Sequence, residues 1–289
     1  MKVAYLGMGR MGRLTAAHII EAGHELTVWN RTPGRAGELI SRGAHEAPSV
    51  QEAVADADAV VLMLFDGESV AEVLGPIAAG APAGTLVIDN TTTGPDAARR
   101  LGEQARALGL RYVDAPVVGS LAPARDGTLG IVVGGSDEDV AAARPLMELW
   151  GAPDRIRHLG PVGAGNALKS VINMCLGIAM AGVGEAMRLG AELSLPPDIV
   201  LDALEAGPFG FSVKQKREML EKGNFQPPSF SLDLLAKDLQ VALDAAGDAA
   251  DALPVLRDSL ALAREASNAG HGDDDYAAMG GYRAGELGR

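Results

Sequence analysis

The sequence predicts a doubly wound α/β domain with a mainly parallel sheet, followed by an all-α domain. In the first half, short apolar strands alternate with helical stretches. From about Gly163 the strand-like alternation stops, and long runs rich in Ala, Leu and Met with helical spacing replace it. A chain of 289 residues is long enough for two domains of ordinary size. The change of pattern near residues 160–163 gives domains 1–161 and 162–289. Hydrophobic residues make up 47% of the chain but aromatics only 4%, so aliphatic side chains and Met must build both cores.

Residues 3–6 form the first apolar strand. It runs into Gly7-Met8-Gly9-Arg10-Met11-Gly12, and residues 14–22 read as a helix ended by Gly23. In a strand–turn–helix unit of this kind Gly7 permits the tight turn and Gly9 lets the backbone approach a pyrophosphate. Gly12 lets the helix pack on the strand. The phosphates would sit at the helix N-terminus, so the first domain reads as a Rossmann-type dinucleotide-binding unit. The next strand, 25–29, ends at Asn30-Arg31-Thr32. An acidic residue there would favour NAD. An amide, a guanidinium and a hydroxyl suit a 2′-phosphate instead. The expected cofactor is therefore NADP(H), with NAD(H) admissible. Arg35 either adds to that pocket or lies on a helix exterior, and Arg31 has the alternative of a solvated surface residue.

Segments 59–64, 85–89, 111–114 and 130–135 are read as further strands of this sheet. The first shows no polar alternation, as expected of a parallel sheet covered on both faces. Ligands bind such sheets beyond the carboxyl ends of the strands, so residues 64–66, 90–92 and 115–121 are the ones to follow. Met63 and Leu64 enter the cofactor set on this ground. Hydroxyls at Thr91 and Thr92 either bond a carboxamide or substrate, or cap the following helix. Phe65 either packs on an adenine or covers the sheet edge.

In the second half, residues 164–192, 197–205, 212–222, 232–247 and 254–269 show helical spacing. The first of these is apolar on nearly every face, which predicts burial in a large core or between subunits, and hence a homodimer or homotetramer. It carries Lys169 and Asn173, four apart and so on one face. A charged side chain in so apolar a run has a partner or a task; the alternative is a snorkelling lysine with a satisfied core asparagine. Lys237 is a second lysine on an apolar helix, with a solvent-facing Lys237-Asp238 pair as its plain reading. Residues 270–275 read as an exposed, solvated acidic turn without metal-ligand spacing, and no metal site is expected. Cys175 reads as a buried, inert thiol, and His158 shows no partner pattern.

A net charge of −13 argues against nucleic acid as a partner. A strand from the first residues leaves no room for a signal peptide. The most apolar run, 171–184, is too short for a bilayer, so no membrane association is expected. The expectation is a soluble, cytoplasmic protein acting on a small molecule.

These motifs, in this order along the whole chain, resemble the β-hydroxyacid dehydrogenase family, which includes 3-hydroxyisobutyrate dehydrogenases and glyoxylate/succinic semialdehyde reductases and lies in the 6-phosphogluconate dehydrogenase superfamily. Asp89-Asn90-Thr91-Thr92-Thr93-Gly94-Pro95 is similar to the family's D-x-[ST]-T-x-x-P, which implies that Thr92 lies at the nicotinamide. Gly163-Ala164-Gly165 through Lys169 to Asn173 is similar to the catalytic G-x-G-x-x-x-K-x-x-x-N. Lys237-Asp238-Leu239 is similar to the K-D-L whose lysine reaches the cofactor. The implied chemistry is hydride transfer between nicotinamide and a hydroxyacid or its semialdehyde, with Lys169 as acid/base and Asn173 orienting. The substrate loop D-A-P-V-S-G-G reads Asp114-Ala115-Pro116-Val117-Val118-Gly119-Ser120 here. Val118, Gly119 and Ser120 thus form the implied substrate contacts, with Val118 in place of a serine. Ile172 likewise replaces an asparagine. The lost hydroxyl, about 1 kcal/mol of hydrogen bonding, leaves two alternatives in view: a reductase of non-acid carbonyls or imines, and a non-catalytic NADP-binding scaffold or redox sensor.

Overall fold

Six short segments rich in Val, Leu and Ile pair in parallel in the order β3-β2-β1-β4-β5-β6. They are β1 Lys2–Leu6, β2 Glu25–Trp29, β3 His45–Glu46, β4 Ala59–Leu62, β5 Leu86–Asp89 and β6 Arg111–Asp114. The computed structural model describes residues 1–281; residues 282–289, the end of the helical domain read from the sequence, lie outside the described residues. Two compact units are present, Met1–Lys169 and the chain from Ser170 onward.

In the first unit the helices are α1 Arg10–Glu21, α2 Glu38–Ser41, α3 Val50–Val54, α4 Gly67–Gly80, α5 Pro95–Ala107, α6 Leu121–Arg125 and α7 Asp137–Trp150. Alternate residues of the strands serve opposite faces. Tyr5, Val28, Val61 and Ile88 meet Ala16 and Ile19 of α1 and Met147 and Trp150 of α7. Ala4, Leu6, Val60 and Val87 meet Val70, Leu74 and Ile77 of α4 and Leu101 of α5. Helix α1 begins at Arg10 rather than at residue 14, so the second half of the glycine motif is already helical.

The segment expected as a further strand of this sheet, 130–135, does not join it. It forms β8, Leu129–Val133, in a separate sheet with β7, Val117–Val118, and β9, Gly151–His158. Strand β8 is antiparallel to β7 and parallel to β9. Only the isolated bridge Asp114–Gly134 connects it to the end of β6. The run is apolar enough for either sheet, and pairing partners decide between them. Strands β3 and β9 were illegible because β3 has two residues and β9 is mostly polar and exposed.

The second unit is helical among the described residues, apart from the isolated bridge Ser231–Asp275. Helix α8, Ala164–Glu192, starts in the first unit and supplies Met180 and Val183 to the second core. There they pack with Leu201 of α9 (Pro197–Ala206), Val213 of α10 (Gly210–Lys222) and Leu235 and Leu239 of α11 (Leu232–Ala246). A 3₁₀ turn, Gly247–Ala252, leads to α12, Pro254–Ala266, a π turn, Ser267–His271, and α13, Ala278–Gly281. By length and hydropathy α8 could cross a membrane. Core helices pass the same test, and Met180 and Val183 of α8 are fully buried in this core. Cys175 is exposed, which corrects the buried thiol; its turn of α8 faces outward, as does Val171.

The acidic turn is also corrected. Asp275 is fully buried, where its Oδ2 pairs with the Lys216 ammonium at 2.7 Å and accepts from the Ser229 backbone at 2.8 Å. Its Oδ1 accepts from the Ala277 backbone at 3.0 Å, and the Lys216 ammonium stands 4.6 Å from the Tyr276 ring centre. A buried charge is tolerated only with such a set of partners. Asp275→Ala strands the Lys216 charge and is expected to lower unfolding free energy by about 3–5 kcal/mol, measured by urea denaturation; a loss below about 1 kcal/mol contradicts this account.

Candidate active site

The glycine loop is fixed by sterics. Gly7 has φ +109°, and a Cβ there would stand 2.2 Å from the Met63 carbonyl oxygen and 3.1 Å from Leu64 Cδ2. A Cβ on Gly12 would stand 2.0 Å from the Gly7 oxygen. At Gly9 a Cβ meets nothing within 4 Å, so that position faces the space into which a ligand backbone-hugging group fits. The loop is braced by Asn30, whose Oδ1 accepts from Met8 N at 2.9 Å and whose Nδ2 donates to the Thr32 oxygen at 2.8 Å. The Asn30 amide is thus used inside the protein, while Arg31, Thr32 and Arg35 are exposed after β2, and Arg10 is exposed at the α1 N-terminus. These residues fit a dinucleotide: close-approach glycines, a helix start, and the exposed Arg31 and Arg35 on the loop after β2, whose Gly34 N–H donates to the Glu46 carboxylate at 2.8 Å.

Met63 and Leu64 follow β4 directly against Gly7. Thr91 Oγ1 accepts from Leu64 N at 3.0 Å, which ties the ends of β4 and β5 together. Helix α5 has Gly94 at its N-cap and no side-chain cap, so neither threonine caps it. Thr92 is half-buried at the same strand end, and Phe65 is 55% exposed. His158, at the end of β9, does have partners: its Nε2 lies 2.9 Å from the Gly135 oxygen.

Two buried carboxylates stand in register at the ends of β5 and β6. Asp89 accepts from the Tyr112 hydroxyl at 2.6 Å and from Thr91 N at 2.9 Å. Asp114 accepts from Gly163 N at 2.7 Å, Asn166 N at 2.8 Å and Asn166 Nδ2 at 3.2 Å. Asn166 Oδ1 in turn accepts from Thr93 N at 2.8 Å and Gly94 N at 3.0 Å. One acid and one amide therefore clamp the first turn of α8 to the ends of β5 and β6. Lys169, half-buried, is the next residue of that helix face after Gly165 and Asn166. Sequence alone gives no sign of this clamp: Asp114 reads as the start of a substrate loop, and a long-range helix cap has no local signal.

Burial pushes both carboxyls up to about 6, against hydrogen bonds that pull them down. Asp89 and Asp114 also repel each other, which raises Asp114 further. A raised carboxyl pKa gives a contribution to stability that is full below the unfolded value of 3.8 and is lost as pH rises through about 6. Asp89→Asn removes one such group, so wild type should lose stability relative to this variant between about pH 4 and 6. Urea midpoints measured across that window check it, and parallel curves refute it.

In the second unit Asn173 is buried, and its Nδ2 donates to Asp238 Oδ2 at 2.5 Å. Asp238 Oδ1 pairs with the Lys237 ammonium at 2.7 Å. The lysine pair is therefore no solvent-facing couple: Asp238 is buried and joins Lys237 to Asn173. Asp238 was visible in the K-D-L motif, yet nothing local assigned it a partner 65 residues away.

Within the substrate loop, Val118 is half-buried in β7 opposite Gly130. Gly119 has φ +138°, and a Cβ there would stand 2.7 Å from Leu129 Cδ2, so glycine is required. Ser120 precedes α6 and makes no side-chain cap.

The doubly wound sheet, glycine loop and strand-end site define an NAD(P)-binding oxidoreductase. Residues 2–171 match the family described as the NAD binding domain of 6-phosphogluconate dehydrogenase, and residues 163–282 match the NAD-binding domain of NADP-dependent 3-hydroxyisobutyrate dehydrogenase. The chain belongs to the β-hydroxyacid dehydrogenase family. It is 33% identical to an NAD-dependent L-serine dehydrogenase of Pseudomonas aeruginosa, over 96% of each chain. It is 30% identical to glyoxylate/succinic semialdehyde reductase 2 of Arabidopsis thaliana, over 96% of this chain and 78% of the relative. A solved Mycobacterium tuberculosis 3-hydroxyisobutyrate dehydrogenase with L-serine superposes with a TM-score of 0.83 at 30% identity, covering 97% of this chain and 98% of the other.

Proposed function

We propose that the protein interconverts a small β-hydroxyacid and its semialdehyde or oxo acid, with NADP(H) as the preferred cofactor and Lys169 as the acid/base. The observation that carries this reading is the Asp114–Asn166 clamp, which fixes the helix bearing Lys169 to the strand ends that follow the dinucleotide loop. Gly7, Met8, Gly9, Arg10, Met11 and Gly12 would hold the pyrophosphate. Arg31 and Thr32, on a loop shaped by Asn30, would hold the 2′-phosphate; exposed Arg35 and the absence of an acidic residue among residues 30–35 support NADP over NAD. Met63, Leu64, Thr92 and Lys237 complete the cofactor set.

A bound nicotinamide supplies or takes up the hydride. In reduction the Lys169 ammonium gives its proton to the oxygen of the carbonyl as charge develops there; in oxidation the neutral amine takes the hydroxyl proton. Asn173, held by Asp238, orients the substrate oxygen. The backbone N–H groups of Gly119 and Ser120 hold the acid group. Lys169→Ala is expected to abolish turnover while the Kd for NADPH changes less than about threefold, below 1 kcal/mol. NADPH oxidation with succinic semialdehyde, glyoxylate, neutral aldehydes and cyclic imines tests the reading. Turnover of neutral carbonyls or imines alone would favour the second reading, which Val118 motivates; no turnover at all would favour a scaffold.

The same reading places the protein in the cytoplasm as a homodimer or homotetramer assembled through the helical unit. Val171, Leu189 and Leu193 are exposed, the last two at 61% and 63%, along and just beyond α8. Covering such a row of apolar side chains is what association would achieve. Light scattering after size exclusion should give a multiple of 29.7 kDa, with Leu189→Glu shifting it toward the monomer. A monomer at tens of micromolar wild-type protein rejects the assembly.

A further inference from the structure

We infer that His18 is a positioning residue for the substrate loop: from the last turn of α1 it holds the short helix that fixes the backbone of Gly119 and Ser120. The inference rests on the hydroxyacid reading above, in which those two N–H groups receive the acid group, and it names what keeps them in place.

The chain between β6 and β8 has little regular structure of its own. Strand β7 has two residues, and α6 has five, with Pro123 among them and no side-chain cap at Ser120. A helix of little more than one turn is unstable alone, so α6 depends on what it docks against. Its partner is α1. Ala124 is fully buried in the same core as Ala16 and Ile19. A Cβ on Gly127 would stand 3.5 Å from His18 Cε1, so the turn after α6 lies against the imidazole.

His18 adds a polar tie across this contact, with its Nε2 2.9 Å from the Ala124 oxygen. A carbonyl oxygen only accepts, so this nitrogen donates. The other ring nitrogen stands 3.1 Å from Glu21 Oε2, and Glu21 Oε1 accepts from Arg42 at 2.7 Å. The ring is thereby held on both sides. Its side chain is 14% exposed, so water competes little for these bonds.

Ala124 passes the hold to the loop. Its carbonyl accepts from His18, and its own N–H donates to the Ser120 oxygen at 3.1 Å. Pro123 closes on Gly119, where a Cβ would stand 3.2 Å from Pro123 Cβ. Two hydrogen bonds in series therefore connect the imidazole to Ser120, and packing extends the hold to Gly119. Helix α1 also opens at the glycine loop. One helix thus references the substrate loop to the dinucleotide loop.

Backbone donors that hold an acid group equally in substrate and transition state act on KM and not on kcat. The test measures both constants for succinic semialdehyde and its methyl ester in wild type, His18→Ala and His18→Gln, with the Kd for NADPH from fluorescence. His18→Ala should raise KM for the acid roughly two- to tenfold, the span of one hydrogen bond, with kcat, NADPH affinity and KM for the ester unchanged. The Gln amide can donate to the same oxygen, so His18→Gln should restore the acid KM. Hydrogen exchange over residues 119–128 should quicken in His18→Ala and recover in His18→Gln. An unchanged acid KM in His18→Ala, an equal loss on acid and ester, or unaltered exchange overturns the inference while leaving the hydroxyacid reading intact. Failure of wild type to turn over any acid removes both.

Discussion

The carboxylate of Asp114 is the constraint on which the arrangement of the first unit depends. It sits where β6 ends, and three N–H groups from Gly163 and Asn166 converge on it. Small residues make this approach feasible. A Cβ on Gly134 would stand 2.3 Å from Asp114 Oδ1, and one on Gly165 would stand 2.9 Å from the Asp114 backbone oxygen. An acid at a helix start is favoured by the partial positive charge there. Burial works in the other direction, and it prevails, leaving Asp114 titrating near 6. The helix that carries Lys169 is thereby held by a group whose charge changes within a pH range that cells visit.

Several buried acids and amides in both units are held by partners distant in sequence, whereas the buried side-chain amide of Asn90 and the indole N–H of Trp150 have no hydrogen-bond partner. Asn166 relays the hold of Asp114 to Thr93 and Gly94, the loop after β5. Asp238 joins Asn173 to Lys237, and Asp275 joins Lys216 to the segment around Ser229. In each case an acid buried at its own position serves donors distant in sequence. Hydrophobic packing sets the layers, but these acids decide where the chemistry-bearing residues stand.

The two sheets of the first unit supply different loops. The six-stranded sheet supplies the dinucleotide loop and the strand ends, which are set by backbone sterics at Gly7 and Gly12. The small sheet of β7, β8 and β9 supplies the loop with Val118 and Gly119.

Much of this was legible beforehand. The glycine loop, the apolar strands and the 29-residue helix α8 follow from local periodicity and turn chemistry, because strand and helix patterns are short-range properties. The family motifs singled out Lys169, Asn173 and Lys237 as candidates from the same short-range patterns. Sequence could not tell that 130–135 leaves the main sheet, that Asp275 is buried in an acidic run, or that Cys175 faces outward, since each depends on which distant element packs alongside. Local chemistry by itself pointed to a nicotinamide dinucleotide as the ligand. Only tertiary structure decided that Asp114, 52 residues before Asn166, fastens the helix of Lys169, because a hydrogen bond across that separation exists only once both strands and helix have folded.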